Sequence, residues 1–327
     1  MSNRIFFIDT KYSNYLIASR PLKAYAAENI LDYDISITKS QYNLSIKSNL
    51  VGLTGEILNR FICQKTYQGP MVVGILDDEP CIICSDDTNL DINNLKCFDD
   101  IVQKHYTCFD LAQYPLKLLS SVPKLCAFEQ EVQDRLRKNA IDQGVFLQDA
   151  STTYLAFDTE FDDNIFIEPN VYFGSNVKLH KNVHIKAFSY LQGVDIHAGS
   201  IIGPFARVRG DTIIGANVKI GNFVEIKNSV IEISSKISHL SYIGDTKIGI
   251  NVNIGAGVVT CNYDGLQKHQ TIIEENVFIG SNSSLIAPLT IGANSLIGAS
   301  SFINRDVPSN SFASARSTQT IKPNKRR

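Results

Sequence analysis

Positive and negative side chains are nearly equal in number in this sequence. It also lacks a long apolar run and a basic N-terminal leader. Its 31 Lys and Arg residues against 33 Asp and Glu residues give a formal net charge of −2. That balance excludes an attraction of the whole surface to nucleic acid or to an anionic membrane. No apolar run could span a bilayer, and no basic segment leads into an apolar stretch at the N-terminus. These absences predict a cytoplasmic protein.

The cysteines offer little sign of a disulfide framework or a zinc site. There are seven of them, an odd number, and most lie in apolar stretches. Cys81 and Cys84 form a CxxC pair, but no second pair stands at the spacing of zinc ligands. We therefore expect buried, reduced thiols rather than metal or redox chemistry.

Residues 1–120 mix the patterns of strands and helices and predict a small α/β domain. The predicted strands are Arg4 to Asp9, Asp34 to Thr38, Met71 to Leu76 and Cys81 to Cys84. The predicted helices are Pro21 to Ile30, Gly52 to Ile62 and Ile101 to Leu111.

A linker helix is predicted next, within residues 121–144. Phe128, Val132, Leu136 and Ala140 fall four apart among charged residues, which is the pattern of an amphipathic helix. Gly144 is a natural C-terminal stop for that helix.

The second half of the chain repeats an aliphatic residue every six positions. Two long runs are Ile196, Ile202, Val208, Ile214, Ile220 and Ile226, and Ile273, Ile279, Leu285, Ile291, Ile297 and Ile303. Val171, Val177 and Val183 form a shorter run, each preceded by Asn. A period of six predicts a left-handed parallel β-helix of about 18 residues per coil, with the aliphatic residues inside and turn-forming residues at the corners.

The repeat is predicted to run from about residue 160 to 305, in roughly eight coils, within a domain of residues 145–321. A basic tail, residues 322–327, follows. The period breaks between Ile254 and Ile273, where a polar segment, Thr260 to His269, is predicted to leave the solenoid as a loop. Such loops on a rigid scaffold commonly carry binding function.

Several ionisable side chains that could take part in a reaction lie near this break. His239 lies about one coil beyond Glu225 and Lys227, so adjacent coils would bring the three together. A neutral imidazole can accept a proton from an attacking amine, and Lys227 and Arg209 would supply positive charge for a phosphate. Taken alone, a histidine such as His239 is more often a hydrogen-bonded surface residue than a catalytic one.

Read together, residues 200–321 resemble the acetyltransferase domain of the GlmU family. The matching segments are IGPFARVR (202–209), GNFVEIK (221–227), SHLSYIGD (238–245), NVNIGAGVVTCNYDG (251–265), FIGSNSSLIAPLTIG (278–292), RDV (305–307) and AR (315–316). The resemblance implies an acetyl-CoA-dependent glucosamine-1-phosphate N-acetyltransferase that forms a homotrimer, with each active site between chains.

The resemblance also implies roles for individual residues. His239 would be the general base, and Glu225 would orient or polarise it. Arg209, Lys227, Tyr242 and Asn253 would hold the amino-sugar phosphate. Ala256, Asn262, Tyr263, Ser281, Ala299 and Arg316 would contact acetyl-CoA, with the Ala256 backbone as an oxyanion donor. Acetyl transfer needs a base, oxyanion stabilisation and positioning, so no metal is expected.

GlmU proteins also transfer uridylyl groups, and that activity is predicted to be absent. A nucleotidyltransferase needs a glycine-rich loop after its first strand, so that backbone N–H groups can approach phosphates. The first glycine of this chain is Gly52. At most, residues 1–120 resemble a reduced nucleotidyltransferase-like domain.

Three functions therefore remain open. The leading hypothesis is N-acetylation of glucosamine 1-phosphate for UDP-N-acetylglucosamine synthesis, which feeds peptidoglycan and lipopolysaccharide in cell wall biogenesis. The alternatives are sugar-1-phosphate nucleotidyl transfer and a scaffold without activity. No nucleic-acid or membrane partner is expected.

Overall fold

The computed structural model describes residues 121–321 continuously, together with residues 4–8, 16–17, 20–21, 43–47, 50–51, 71–76, 79–85, 107–110 and 117–118. The chain divides into two compact units, Met1–Val132 and Gln133–Arg327. The strand predicted for 34–38, the helix predicted for 52–62 and the basic tail lie outside the described residues. So does the helix predicted for 21–30, except that its predicted first residue, Pro21, lies in a two-residue strand instead.

Nine strands are described before residue 121. They are β1 (Arg4–Ile8), β2 (Leu16–Ile17), β3 (Arg20–Pro21), β4 (Asn43–Lys47), β5 (Leu50–Val51), β6 (Met71–Leu76), β7 (Glu79–Ser85), β8 (Thr107–Asp110) and β9 (Lys117–Leu118). Five of them form a mixed sheet in the order β1-β4-β7-β6-β8. The predicted strands at β1, β6 and β7 are confirmed.

The helix predicted over Ile101–Leu111 is wrong at Thr107–Asp110, which is strand β8. This strand pairs in parallel with β6, with Val72 opposite Thr107 and Gly74 opposite Phe109. Threonine and aromatic residues favour strands, and pairing with the edge of the sheet outweighs the helical spacing of the apolar residues.

Helix α1 (Val122–Asp142) confirms the predicted amphipathic helix. Val132 and Ala140 are buried, while Phe128 and Leu136 are half-buried. At its C-terminus, Gly144 adopts a φ of 91° and donates to the Ile141 carbonyl, which ends the helix as predicted.

Buried polar contacts attach the second half of α1 to the first coil. The Gln133 amide both donates to the Leu155 carbonyl, at 2.9 Å, and accepts from the Leu155 N–H, at 3.0 Å. Arg137 donates to the Thr153 carbonyl at 3.2 Å. These bonds satisfy backbone groups that strand pairing leaves free at the end of the solenoid.

The rest of the chain forms short parallel strands wound into a solenoid. They are β10 (Phe146–Leu147), β11 (Glu160–Phe161), β12 (Phe166–Ile167), β13 (Tyr172–Phe173), β14 (Val177–Leu179), β15 (His184–Ile185), β16 (Tyr190–Ile196), β17 (Ile201–Ile202), β18 (Arg207–Ile214), β19 (Lys219–Asn222), β20 (Glu225–Lys227), β21 (Val230–Ile231), β22 (Lys236–His239), β23 (Tyr242–Gly244), β24 (Thr246–Ile248), β25 (Asn253–Ile254), β26 (Val259–Cys261), β27 (Thr271–Ile273), β28 (Phe278–Ile279), β29 (Ser284–Ile286), β30 (Leu289–Ile291), β31 (Leu296–Ile297), β32 (Phe302–Ile303) and β33 (Phe312–Ala313). A short 3₁₀ helix, Ala150–Thr152, follows β10.

These strands stack into a ten-stranded sheet, from β10 to β33, and a fourteen-stranded sheet in which the long strands β16 and β18 turn from one face to the next. The solenoid has about nine turns, one more than predicted, because strands extend beyond both ends of residues 160–305. The predicted hexapeptide-repeat parallel β-helix is confirmed. The boundaries proposed for its domain and for the preceding regions remain predictions.

The predicted core is confirmed at every position of the repeat. Each aliphatic residue of the three runs is buried, with at most 6% of its surface exposed, at Ile303. Asparagines occupy corners in the left-handed conformation; Asn170, Asn176 and Asn182 have φ values of 58° to 61°. The amide side chains of Asn276 and Asn294 are also bonded across coils, at 3.1 Å. Each six-residue repeat therefore supplies one buried aliphatic residue and one turn residue at a corner.

The expectation of buried thiols is wrong at Cys126, which lies exposed on α1. Cys261 is half-buried, and burial raises the pKa of its thiol, which favours the protonated form. The side chains of the other cysteines lie outside the described residues. Within the described part of the chain, no helix is long and apolar enough to cross a membrane.

Candidate active site

The predicted base and several predicted coenzyme contacts occupy one column along the solenoid. Asn222 lies opposite His239 in the β19–β22 pairing. Extending the registers of the following strands by two residues carries this column through three further positions. They are Ala256, Ser281 and Ala299. Because neighbouring strands lie about 4.8 Å apart, these small residues form a continuous row beside His239, which is called the track below.

His239 is exposed and is oriented by a residue of the preceding coil. Its Nδ1 lies 2.5 Å from the side-chain oxygen of Asn222. An amide oxygen can only accept, so the proton of the neutral ring resides on Nδ1. The Nε2 lone pair is then free to accept a proton, which is the tautomer that a general base requires.

The contacts of Glu225 differ from the role considered for it. Its Oε1 accepts from Arg209 Nη2 at 2.7 Å, from Arg209 Nε at 3.0 Å and from Arg207 at 3.2 Å. The carboxylate therefore positions the guanidinium groups, and the orienting contact of His239 comes from Asn222 instead.

Three cations lie together on the adjoining face. Arg209 and Lys227 are opposite each other in the β18–β20 pairing. A hydrogen bond with Lys268, which reaches in from the loop after β26, lowers the pKa of Lys227, and burial and the positive charge of Lys268 add to the effect. The neutral amine of Lys227 can accept from the Lys268 ammonium, whereas the two charged forms repel each other, so an anion between them would favour both charges.

Tyr242 and Asn262 meet above Gly244, the residue opposite Lys227 in the next coil. A Cβ atom at Gly244 would lie 2.5 Å from the Tyr242 hydroxyl and 2.7 Å from the Asn262 amide nitrogen. Only glycine therefore leaves room for both side chains. The Asn262 amide also donates to the Asp245 carboxylate. The predicted sugar contact and the predicted coenzyme contact thus adjoin at the edge of the cation cluster.

The loop predicted at the break in the period is confirmed between β26 and β27. Ile279 follows its partner Ile254 by 25 residues, whereas Ile254 follows Ile237 by 17. Asp264 shapes this loop by accepting from the backbone of Leu266 and Gln267, both at 2.7 Å, and from His269. These bonds hold the pKa of Asp264 well below the usual range of a carboxyl group.

Two predicted ligand contacts lie apart from the cation cluster within one chain. Asn253 belongs to β25 and pairs with Lys236, on the face before the His239 corner. Arg316 lies exposed beyond β33 and donates to Ser314. Tyr263 is also exposed, although its hydroxyl donates to the Gly265 carbonyl and fixes the ring. The single chain therefore presents an open face with some of the predicted contacts dispersed.

Sequence reasoning missed Asn222 and Lys268. The signal for Asn222 was its place 17 residues before His239, because the register of the coils makes such residues neighbours. Lys268 had no comparable signal, since its approach to Lys227 depends on how the loop folds back through the bridge between Tyr263 and Lys268.

Comparison with known proteins agrees with this geometry. Residues 193–228 and 270–305 match the family model for the bacterial transferase hexapeptide (six repeats). The chain is 49% identical to the bifunctional protein GlmU of Bartonella bacilliformis over 190 residues, which cover 58% of this chain and 42% of that protein. It is 48% identical to the bifunctional protein GlmU of Zymomonas mobilis over 199 residues, covering 61% and 44%. The resemblance to GlmU is confirmed.

The match lies in the C-terminal three-fifths of the chain and spans less than half the length of these GlmU relatives. The crystal structure of the UDP-N-acetylglucosamine acyltransferase from Francisella novicida aligns with a TM-score of 0.39 and 20% identity, covering 52% of this chain and 67% of that one. The region that matches GlmU thus carries repeats of the bacterial transferase hexapeptide type.

Proposed function

We propose that this chain transfers an acetyl group from acetyl-CoA to the amine of glucosamine 1-phosphate. The observation that carries the proposal is the bond from His239 Nδ1 to Asn222, which leaves Nε2 as an acceptor beside a track of small residues. The similarity to bifunctional GlmU proteins supports the choice of substrates.

In the proposed reaction, His239 Nε2 accepts a proton from the amine as its nitrogen attacks the thioester carbonyl. A C–N bond forms, the C–S bond breaks, and the leaving thiolate takes up a proton to give free CoA. The carbonyl oxygen gains negative charge in the transition state. Within residues 121–321, the N–H of Ala256 makes no intramolecular hydrogen bond, so this donor is available for that oxygen.

The phosphate of the acceptor fits the three cations. Arg209, Lys227 and Lys268 converge on one face, and Glu225 holds the Arg209 guanidinium in place. A phosphate dianion would relieve the repulsion between the two lysines. The Tyr242 hydroxyl, directed over Gly244, would donate a further hydrogen bond to the sugar or its phosphate.

Acetyl-CoA would extend along the column of His239. Ala256, Ser281 and Ala299 would contact it, and Asn262 and Tyr263 would do so from the loop. Gly255 is packed so closely that a Cβ there would lie 2.5 Å from the Ser281 nitrogen. The coils therefore stack tightly beneath the track, and the ligand would lie on backbone and small side chains.

The proposal includes a homotrimer in which neighbouring chains complete each site. The exposure of Arg316 and the dispersed position of Asn253 support it, as does Leu266 at the loop tip, which is 90% exposed in the single chain. Partner chains would cover that side chain and bring Asn253 and Arg316 to the ligands.

Mixed trimers test the shared site. Chains carrying His239→Ala are combined with chains carrying Arg316→Ala, and assembly is verified by mass. If the two residues serve one site from different chains, some mixed trimers regain an intact site and activity recovers. No recovery in verified mixed trimers would reject the arrangement.

The principal assay measures free CoA released from acetyl-CoA and glucosamine 1-phosphate without added metal. We expect release above the no-enzyme rate, and none above it when glucose 1-phosphate, which has no amine, replaces the acceptor. Thiol release equal to the control, with folded protein present, would reject the acetyltransferase proposal.

We propose further that the product supplies UDP-N-acetylglucosamine synthesis in the cytoplasm, and that this chain does not itself transfer the uridylyl group. The absence of glycine before Gly52 supports the second point. UTP, N-acetylglucosamine 1-phosphate and Mg²⁺ should give no pyrophosphate. Pyrophosphate formation that requires residues 1–120 would overturn it.

A further inference from the structure

The early coils carry a second cluster of histidine and carboxylate groups. Asp162, His180 and His197 stack on successive coils, each immediately after a strand that pairs with the next. Backbone bonds fix all three, from Asp162 N to Leu179 O, from His180 N to Ile196 O and from His197 N to Ile214 O. Asp195, two residues before His197, lies on the adjoining strand β16. The solenoid therefore holds the four side chains on a rigid frame.

Their polar atoms converge. His180 Nε2 lies 2.9 Å from Asp195 Oδ1, and His197 Nε2 lies 3.7 Å from the same oxygen. Adjacent ligands of a tetrahedral zinc ion, with bonds of about 2.0–2.1 Å, are about 3.4 Å apart. These two separations bracket that value, and the ligand atoms of all three residues lie within 4.8 Å of one another, so side-chain rotations without any backbone change would close them around an ion.

Each ring nitrogen of His180 faces a carboxylate oxygen, and a neutral ring can donate a hydrogen bond to only one of the two. Its Nδ1 faces Asp162 Oδ2 at 3.1 Å, while its Nε2 faces Asp195. A neutral imidazole has one proton, so one of its nitrogens meets a carboxylate oxygen lone pair to lone pair. A cation between Nε2 and Asp195 removes that repulsion, and Nδ1 then donates to Asp162. A carboxylate that orients a ligand histidine in this way is a recurrent feature of zinc sites.

We propose that His180, Asp195 and His197 bind a divalent transition-metal ion of the Zn²⁺ class, with Asp162 orienting His180. Two imidazoles and one carboxylate suit zinc and its neighbours better than Mg²⁺ or Ca²⁺, which prefer oxygen ligands. The two carboxylates offset the charge of the ion. Since the side chains of His197 and Asp195 are 45% and 41% exposed, water would complete the coordination.

The test is a calorimetric titration of Zn²⁺ into the full chain after removal of metals with a chelator. We expect one saturable site per chain that the double variant His180→Ala/His197→Ala lacks. Asp162→Asn should weaken Zn²⁺ binding by about 10- to 100-fold, the usual effect of losing such an orienting group. Mg²⁺ should not compete.

His184→Ala is the matched control. His184 is bonded to a single carboxylate, Glu168, at 2.8 Å, so its loss should leave the affinity unchanged. Circular dichroism of each variant verifies folding. Full stoichiometry in the double variant would place the metal elsewhere, for example on thiols, and would overturn the proposal. Absence of saturable Zn²⁺ binding in the unmodified chain would also overturn the proposal.

Discussion

His239 is the last residue of β22 and His180 follows β14 of the same solenoid, but their hydrogen-bond partners differ. His239 donates through Nδ1 to the amide oxygen of Asn222 and presents Nε2 outward. His180 has a carboxylate at each ring nitrogen. The amide oxygen fixes the tautomer of His239, whereas the carboxylates of Asp162 and Asp195 place negative charge beside both nitrogens of His180, which suits a bound cation. The same residue type is therefore suited to a base in the late coils and to a cation site in the early coils.

The charges of the side chains around the two regions also differ. Around His180, carboxylates of Asp162 and Asp195 supply negative charge. Around Lys227 lie two cations, Arg209 and Lys268, and one carboxylate, Asp245, while the Glu225 carboxylate is occupied by arginines. The cores of the two regions are alike, with a buried aliphatic residue at each repeat. Function in a solenoid is thus set by outward residues on chosen coils and not by the repeat itself.

The largest expected effect separates the two kinds of histidine. His239→Ala should lower kcat for acetyl transfer by roughly 10²- to 10⁴-fold, the range for loss of a positioned acid or base. The KM for acetyl-CoA should change little, because no coenzyme contact is assigned to this side chain. Steady-state kinetics measure both constants. His184→Ala, which removes a carboxylate-bonded histidine of the early coils, serves as the control and should retain normal kcat. A near-normal kcat in His239→Ala would show that another group or solvent accepts the proton.

The inward half of the fold was predictable from the sequence because burial selects aliphatic residues at a fixed period. Ile202 and Ile279 alone imply little, but the series they belong to indicates the coil and its core. Outward neighbours follow from the coil length, which is 17 residues from Asn222 to His239 and 18 from Arg209 to Lys227. A difference of one residue moves a side chain to another neighbour.

The loop is where prediction from the sequence ended. Its position was predictable from the broken period, but the approach of Lys268 to Lys227 results from hydrogen bonds around Asp264 that no pattern indicates. The roles that the resemblance implies for Asn253 and Arg316 would, in the proposed trimer, depend on neighbouring chains, so the structure of one chain does not test them.

A second, smaller effect should distinguish the cations of the two regions. Lys227→Ala should raise the KM for glucosamine 1-phosphate by about 10- to 100-fold, since a hydrogen bond to a charged group contributes about 1.5–3 kcal/mol. The value of kcat should fall much less. Lys178→Ala, which removes an exposed early-coil lysine paired with Glu160 at 3.4 Å, should leave both constants unchanged. Equal effects of the two substitutions would argue against a phosphate site at Lys227.

The smallest expected effect is a displacement of the pH profile. The hydrogen bond with Lys268 is the main cause of the lowered pKa of Lys227. A lysine is charged below its pKa, so the charge that binds phosphate is complete at lower pH and is lost as the pH rises through this lowered value. The kcat/KM for glucosamine 1-phosphate should therefore decline on the alkaline side. Lys268→Gln removes the cause and should move that decline to higher pH, while lowering kcat/KM throughout because a phosphate contact is lost.

The control is Lys247→Gln, which replaces an exposed lysine of β24 and should leave the pH profile unchanged. An alkaline limb at the same pH in Lys268→Gln and in the unmodified protein would show that the two lysines do not influence each other in solution.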